Sequence, residues 1–213
     1  LILIYLLSFM VSIVQFGNNM APFAIAIIAA ITANNIPILI PYIITCIGTF
    51  IGFGGSGLLT YILTSLVFMA LSIFVLPKMN DKTEQKSLMP HLIVSTILVQ
   101  VVKILFGPIL IYDILLAILF TIITSIFYKI FKSSISVIKD SKTKKAFSIE
   151  EVIGTSLVIA IAISAFGELA IFGYSIRNIL CVLVVLVLGW QNGILIGATS
   201  GVTIGVVIAI IQN

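Results

Sequence analysis

Charged side chains inside apolar runs are the residues of this sequence whose types and spacing could do chemistry. Lys103 and Asp113 lie on either side of the turn signal Gly107-Pro108, at similar distances from it. In an antiparallel helical hairpin these side chains come level, within about two helical turns of the tip. An ionisable group inside a membrane is expensive, so the pair is a candidate proton or ion site. A neutralising intramembrane ion pair, which lets both helices insert together, is the simpler interpretation.

A second pair of opposite charges, Glu168 and Arg177, flanks Gly173-Tyr174 in the same way. If the chain turns at that point, both side chains come near the outer surface of the membrane. Pairing at the interface is then favoured over transport. We therefore interpret Glu168 and Arg177 as a second ion pair, with a place in a transport pathway as the alternative.

The sequence holds no residue pattern typical of catalysis. It has no Cys-x-x-Cys or His-x-x-x-His spacing, and no nucleophile beside a partnered histidine. Cys46 and Cys181 lie in apolar segments far apart and are expected to be buried free thiols. We predict that these residues form no enzyme, with no catalytic residue, no cofactor site and no metal site.

Polar residues beside the apolar runs predict local hydrogen bonds. Gln15, Asn34 and Gln100 are interpreted as loop residues or as partners in hydrogen bonds between helices. Ser148 and Glu151 have the spacing of a capping box just before an apolar run, so we expect each side chain to bond the other residue's backbone amide.

The composition excludes a water-soluble fold. Hydrophobic residues make up 61 % of the chain and charged residues 8 %, and the mean hydropathy is +1.34. A soluble domain carries about 25 % charged residues, which it needs to cover its surface. We expect residues 1–213 to form a single integral membrane domain. Because the chain begins at Leu1, inside an apolar run, we expect it to be a fragment of a longer chain.

Polar and glycine-rich breaks divide the chain into nine apolar segments. A spanning helix needs about 20 apolar residues, so the predicted fold class is all-α, a polytopic transmembrane helix bundle of about 8–10 spans. Segments 20–32 and 36–51 are short enough to form a re-entrant pair instead. The nine segments are Leu1–Phe16, Met20–Thr32, Ile36–Ile51, Leu58–Leu76, His91–Phe106, Ile109–Ile130, Val152–Phe172, Ile176–Trp190 and Ile194–Ile211.

The orientation is predicted from the lysines. Loops 77–90 and 131–149 are lysine-rich, and short basic loops remain in the cytoplasm. Two helices separate them, so both loops must lie on one side, which is consistent. If all nine segments span, the N-terminus is cytoplasmic and Asn213 is outside. The predicted location is the cell membrane, and the net charge of +4 reports orientation and does not indicate a nucleic-acid partner.

Glycines at every fourth position predict close helix packing. Such a stripe lets another helix approach at short range in a membrane. It advances about 40° per step around the helix, so it winds. Gly189 is assigned to the turn before the last segment. The residues predicted to pack helices are Gly48, Gly52, Gly193, Gly197, Gly201 and Gly205.

Three stretches carry a resemblance to a known family. They are residues 21–26 (APFAIA), residues 147–152 (FSIEEV) and residues 193–205 (GILIGATSGVTIG). In order and composition they resemble the membrane region of stage II sporulation protein E of endospore-forming Firmicutes. Ala24 stands where that family often has glycine.

The resemblance implies a division of labour. The multispan region of the family anchors the protein and concentrates it at the division septum. A following cytoplasmic part self-associates and contacts the tubulin-like division-ring protein. A C-terminal PPM-type serine/threonine phosphatase, which uses Mn or Mg, dephosphorylates an anti-sigma-factor antagonist and so activates a forespore sigma factor. None of the metal-binding aspartates of that phosphatase maps onto this sequence.

Two functions therefore stand side by side. The first is a membrane anchor and assembly domain, whose partners are the lipid bilayer and further copies of itself. The alternative is a small-solute or ion transporter or channel, with the charged residues of both pairs in the pathway. Broken helices mark substrate sites in transporters, and segments two and three are short and broken.

Overall fold

The chain folds into eight helices in a computed structural model that describes residues 2–15, 21–75, 88–107, 110–140, 148–167, 169–171 and 173–212. This confirms the all-α class, with a two-stranded ladder in addition. The elements are α1 Ile2–Ile13, α2 Pro22–Ala33, α3 Leu39–Val75, α4 Met89–Leu105, α5 Ile111–Asp140, α6 Ile149–Ser164, β1 Ala170–Ile171, β2 Tyr174–Ser175, α7 Ile176–Asn192 and α8 Ile194–Gln212.

Each of the nine predicted segments corresponds to a helix or to one arm of a helix, and two boundaries differ by eight residues or more. Residues 131–140, which we expected in a cytoplasmic loop, continue α5. Phe131, Ser134 and Ile135 are buried there, so the inward stripe of the helix persists beyond the first lysines. Helix α6 ends at Ser164 and not at residue 172, because Gly167 has a left-handed φ of 55° that the helix cannot continue through.

Helix α3 folds back on itself at the predicted glycine-rich break. Gly54 has φ 66° and ψ −161°, outside the helical region. Thr45 Oγ1 and the hydroxyl of Tyr61 are 2.6 Å apart, although 16 residues of straight helix would separate them by about 24 Å. The aromatic rings of Tyr42 and Tyr61 also stack, 6.0 Å apart. Helix α3 is therefore an antiparallel pair of arms, 39–53 and 55–75.

The short helix α2 forms the centre of the bundle. Every residue from Pro22 to Ile31 is buried, and α2 contacts α1, α3 and α5. The ring of Phe23 meets Phe127 of α5 edge to face at 4.7 Å, a favoured geometry for aromatic pairs. With 12 residues, α2 is about 18 Å long, shorter than the hydrocarbon core of about 30 Å.

Neighbouring helices alternate in direction, so the connections gather at two ends of the bundle. Met89 and Lys129 line one groove, which places the start of α4 beside the later part of α5. Gly154 faces Ser134, so α6 also begins at this end of the bundle, which we call the basic end. Residue 107 lies at the opposite end, which we call the turn end. The helix ends that lead into the two lysine-rich segments thus share one end, and its cytoplasmic location stays a prediction.

The outer surface of the bundle is apolar. On α5, Ile111, Leu115, Ile118, Ile122 and Ile126 are all exposed, and their spacing of three or four residues puts them on one face. A contiguous apolar surface of this kind marks contact with a membrane or a partner. Comparable exposed residues occur on α3, α4 and α7.

Two helices, α3 over Leu39–Ile73 and α5 over Ile111–Lys139, are long and apolar enough to cross a membrane. The two arms of α3 measure about 22 and 31 Å, so only the second approaches the thickness of the hydrocarbon core. Helix α5, with 30 residues, is about 45 Å long and exceeds that thickness.

The close approach of α1 to the first arm of α3 is testable at Gly52. A Cβ added there would collide with the backbone carbonyl of Ile13, which cannot move away cheaply. We expect Gly52→Ala to cost about 1–3 kcal/mol and to lower the thermal unfolding temperature in detergent. Gly55→Ala is the matched control: nothing lies within 4 Å of its Cβ position, so it should be neutral or slightly stabilising. Equal effects of the two substitutions would contradict this packing.

Candidate functional site

A polar cavity of about 380 Å³ lies at the turn end of the bundle. It is enclosed by the start of α2, the second arm of α3, the end of α4 and the first half of α5. The polar side chains in its lining are Thr60, Tyr61, Gln100, Lys103 and Asp113. The structure thus brings together the first charged pair identified in the sequence, from the two helices that flank Gly107.

Lys103 and Asp113 both line this cavity but do not form an ion pair with each other. Among the described residues, no nitrogen–oxygen distance between their side chains is 4.0 Å or less. Lys103 is exposed and Asp113 is half-buried. The expectation that the two neutralise each other directly is therefore not met in this conformation.

Local structure explains how these side chains are positioned. Helix α4 ends at Leu105, where the amide of Gly107 donates to the carbonyl of Ile104 at 3.2 Å. This places Lys103 in the last turn of α4 and Asp113 in the first turn of α5. Each charge also suits the dipole of its helix, since cations are favoured at C-termini and anions at N-termini.

The turn predicted at Gly173-Tyr174, before Arg177, is confirmed. Strands β1 and β2 pair antiparallel, with Ile171 opposite Tyr174, and Gly173 has φ 82°. Arg177 is buried at the start of α7, and its Nε atom has no hydrogen-bond partner among the described residues. Glu168 lies outside the described residues, so its pairing with Arg177 stays a prediction. Arg177 does not line the polar cavity.

At the basic end, Asn34 ties the centre of the bundle to α5. Its side-chain Nδ2 donates to the carbonyl of Lys132 at 3.1 Å, and Lys139 Nζ donates to the Asn34 carbonyl at 3.1 Å. The first of these bonds confirms that Asn34 joins two helices. Nothing in the spacing identified α5 as the partner, because the residues are about 100 positions apart in sequence.

Gly48 and Gly52 lie against α1. A Cβ at Gly48 would collide with Ser12 Oγ and would come within 2.9 Å of the Phe9 carbonyl. The side chain of Gln15 donates to the carbonyl of Gly52. These contacts involve backbone atoms of both helices, an approach that larger residues at positions 48 and 52 would prevent.

Of the glycines near the C-terminus, one ends α7 at the turn into α8, and others lie where α7 and α8 pack together. Gly193, predicted on the packing face, instead caps α7 with φ 91°, because the chain reverses there into α8. A Cβ at Gly197 would come within 2.7 Å of the Gly189 Cα, so Gly189 belongs to the contact and not to the turn. Gly201 faces Val185.

Gly205 has nothing within 4 Å of its Cβ position. The predicted four-glycine stripe is thus reduced to Gly197 and Gly201 within this chain. The winding of the stripe around α8 explains why one neighbouring helix meets only part of it.

Two other predictions concern the cysteines and the capping box. Cys46 and Cys181 are free, as expected, but only Cys181 is buried and Cys46 is half-buried. Ser148 Oγ accepts from the amide of Glu151 at 3.2 Å, while the Glu151 carboxylate accepts from the amide of Ser148 at 3.0 Å, which completes the capping box.

The hydroxyl contact between Thr45 and Tyr61 was not predicted. The only signal for it is the glycine cluster between the two residues, which shows that the helix breaks but not which side chains meet. Among the described residues no three His, Cys, Asp or Glu side chains lie close enough to hold a metal ion.

An all-α domain with an apolar outer surface and helices able to cross a bilayer is a helical membrane domain. The sequence profile of the family described as SpoIIE, N-terminal domain matches residues 1–213. The chain belongs to this family, and the match covers the non-catalytic region of SpoIIE. No curated protein and no solved structure shows significant similarity to the chain.

The contact between α7 and α8 predicts different outcomes for two glycines of one helix. Gly197→Leu should separate the hairpin, because its side chain would meet the backbone of Gly189. We expect a loss of roughly 1–3 kcal/mol, seen as a lower unfolding temperature in detergent, with the membrane-bound fraction unchanged.

Gly205→Leu is the matched control, since its Cβ position is open, and it should leave the unfolding temperature unchanged. Size-exclusion chromatography with light scattering would be run on both variants. A change of oligomeric state in Gly205→Leu, with Gly197→Leu indistinguishable from the parent, would show that the stripe packs between copies and not within the hairpin.

Proposed function

We propose that this domain is the membrane anchor and assembly domain of a sporulation serine/threonine phosphatase that acts at the division septum. The observation that carries the proposal is the family match over residues 1–213. The apolar face of α5 and the length of that helix support the anchoring part. The assembly part rests on the family and on apolar surface that other copies could cover.

In this proposal the chemistry belongs to a phosphatase domain outside these residues. Its divalent metal, Mn or Mg, and its substrate, an anti-sigma-factor antagonist, are bound there. Dephosphorylation of the antagonist would activate a forespore sigma factor. The division-ring protein is proposed as a partner of the cytoplasmic part, and the membrane domain contributes location and local concentration.

The transporter alternative has less support. Lys103 and Asp113 share a cavity, but Arg177 is not in its lining. The centre of the bundle is occupied by α2, whose core-facing residues from Phe23 to Ile31 are apolar. A pathway for ions or polar solutes needs polar groups or water at mid-depth, and α2 supplies neither.

The proposal is tested by exchanging the domain in the full protein. Residues 1–213 would be replaced by an unrelated membrane anchor of similar size, with a fluorescent protein fused at the C-terminus. We expect the exchanged protein to remain on membranes, to lose its enrichment at the septum and to lower the activity of a forespore sigma-factor reporter.

The control is the unaltered protein with the same fluorescent fusion, at matched expression. If the exchanged protein reaches the septum and activates the reporter normally, the domain is an anchor without an assembly role. If the unaltered protein is found in the soluble fraction, the anchoring proposal itself is wrong.

A further inference from the structure

The polar cavity at the turn end adjoins an apolar groove on the outside of the bundle. The groove lies between α4 and α5 and has a volume of about 500 Å³. Gln100, Ile104 and Ala117 line both the cavity and the groove. A polar compartment and an apolar one therefore meet at a shared wall.

The groove has the dimensions of one lipid chain. Its walls run from Ile97 to Leu105 on α4 and from Ile114 to Ile122 on α5, about 12 Å along each helix. One leaflet of the hydrocarbon core is about 15 Å deep. All of the lining except Gln100 and Thr121 is apolar, so an acyl chain in the groove would meet apolar side chains on the protein side and lipid hydrocarbon on the other.

The cavity offers one positive and one negative group. Lys103 and Asp113 both line it and are not paired with each other. Ala21 and Ile25, at the start of α2, also line it, so the positive end of the α2 dipole is directed toward this region. The volume of about 380 Å³ lies within the range of small-ligand sites.

We propose that the cavity and groove together bind a zwitterionic phospholipid with a primary amine, such as phosphatidylethanolamine. Lys103 donates to the phosphate, Asp113 accepts hydrogen bonds from the ammonium, and one acyl chain occupies the groove between α4 and α5. The lipid thus supplies a partner of opposite charge to each group. It would come from the leaflet at the turn end, and this inference does not depend on the proposed function.

The charges of Lys103 and Asp113 should make the site prefer one lipid headgroup over others. A primary ammonium has three N–H donors for Asp113, whereas the quaternary ammonium of phosphatidylcholine has none. The net negative headgroup of phosphatidylglycerol fits Lys103 but brings no cation to Asp113. Charge-assisted hydrogen bonds are about twice as strong as neutral ones, so loss of the bond to Asp113 should be measurable.

The test is native mass spectrometry of the full chain in detergent, titrated with phosphatidylethanolamine, phosphatidylcholine and phosphatidylglycerol of identical acyl chains. We expect phosphatidylethanolamine to bind roughly tenfold more tightly than phosphatidylcholine, the ratio for one charge-assisted hydrogen bond. Asp113→Asn, which removes the negative charge but keeps an acceptor oxygen, should reduce this preference severalfold. Lys103→Met should weaken the binding of both lipids.

Two controls separate the site from general lipid adhesion. Lys129→Met alters an exposed lysine of α5 at the basic end and should leave the preference unchanged. Soluble phosphoethanolamine, which has no chains, should bind far more weakly than the lipid. Equal affinity of the unaltered chain for the three lipids overturns the proposal without any variant. So does an equal loss in Asp113→Asn and Lys129→Met, or binding of phosphoethanolamine as tight as that of the lipid.

Discussion

The fold depends on the burial of α2, a helix too short to cross a membrane and apolar on every side. In a bilayer every backbone polar group must find a partner within the protein. At the end of α2 the amides of Asn34 and Asn35 donate back to Ala30 and Thr32, each at 3.1 Å. The αL conformation of Asn35, φ 54°, allows this closure. The helix can then be enclosed by α1, α3 and α5 without leaving its C-terminal carbonyls exposed to lipid.

The linear order of helices could be predicted, because apolar run length and glycine-rich breaks act locally. The reversal at Gly54 and the capping box at Ser148 follow from residues within a few positions. The partners of each helix could not be predicted. The contact between Asn34 and Lys132, and the pairing of Gly189 with Gly197, depend on where distant segments lie, and a small-residue stripe does not name its partner.

The same distinction applies to the charged residues. Sequence spacing places Lys103 and Asp113 beside one turn, and the structure places both in one cavity. Whether the two side chains form an ion pair depends on the geometry of the end of α4 and the start of α5. The spacing of the two residues in the sequence does not predict that geometry. Because the two are not paired with each other, both charges can contact the lipid headgroup proposed above. A membrane anchor whose surface recognises lipid headgroups is consistent with a domain whose chemistry lies elsewhere.

The central claim, that α2 is enclosed by protein and shielded from lipid, can be tested with tryptophan fluorescence. Trp190 is the only tryptophan of the chain, so Trp190→Phe gives a silent background for Phe23→Trp in α2 and Ile126→Trp in α5. Ile126 is next to Phe127, whose ring meets that of Phe23, so the two positions lie at similar depth, but Phe23 is 1 % and Ile126 is 52 % exposed. In vesicles of brominated phospholipid we expect strong quenching of Ile126→Trp and little quenching of Phe23→Trp. Equal quenching at both positions would show that α2 faces lipid and would contradict this arrangement.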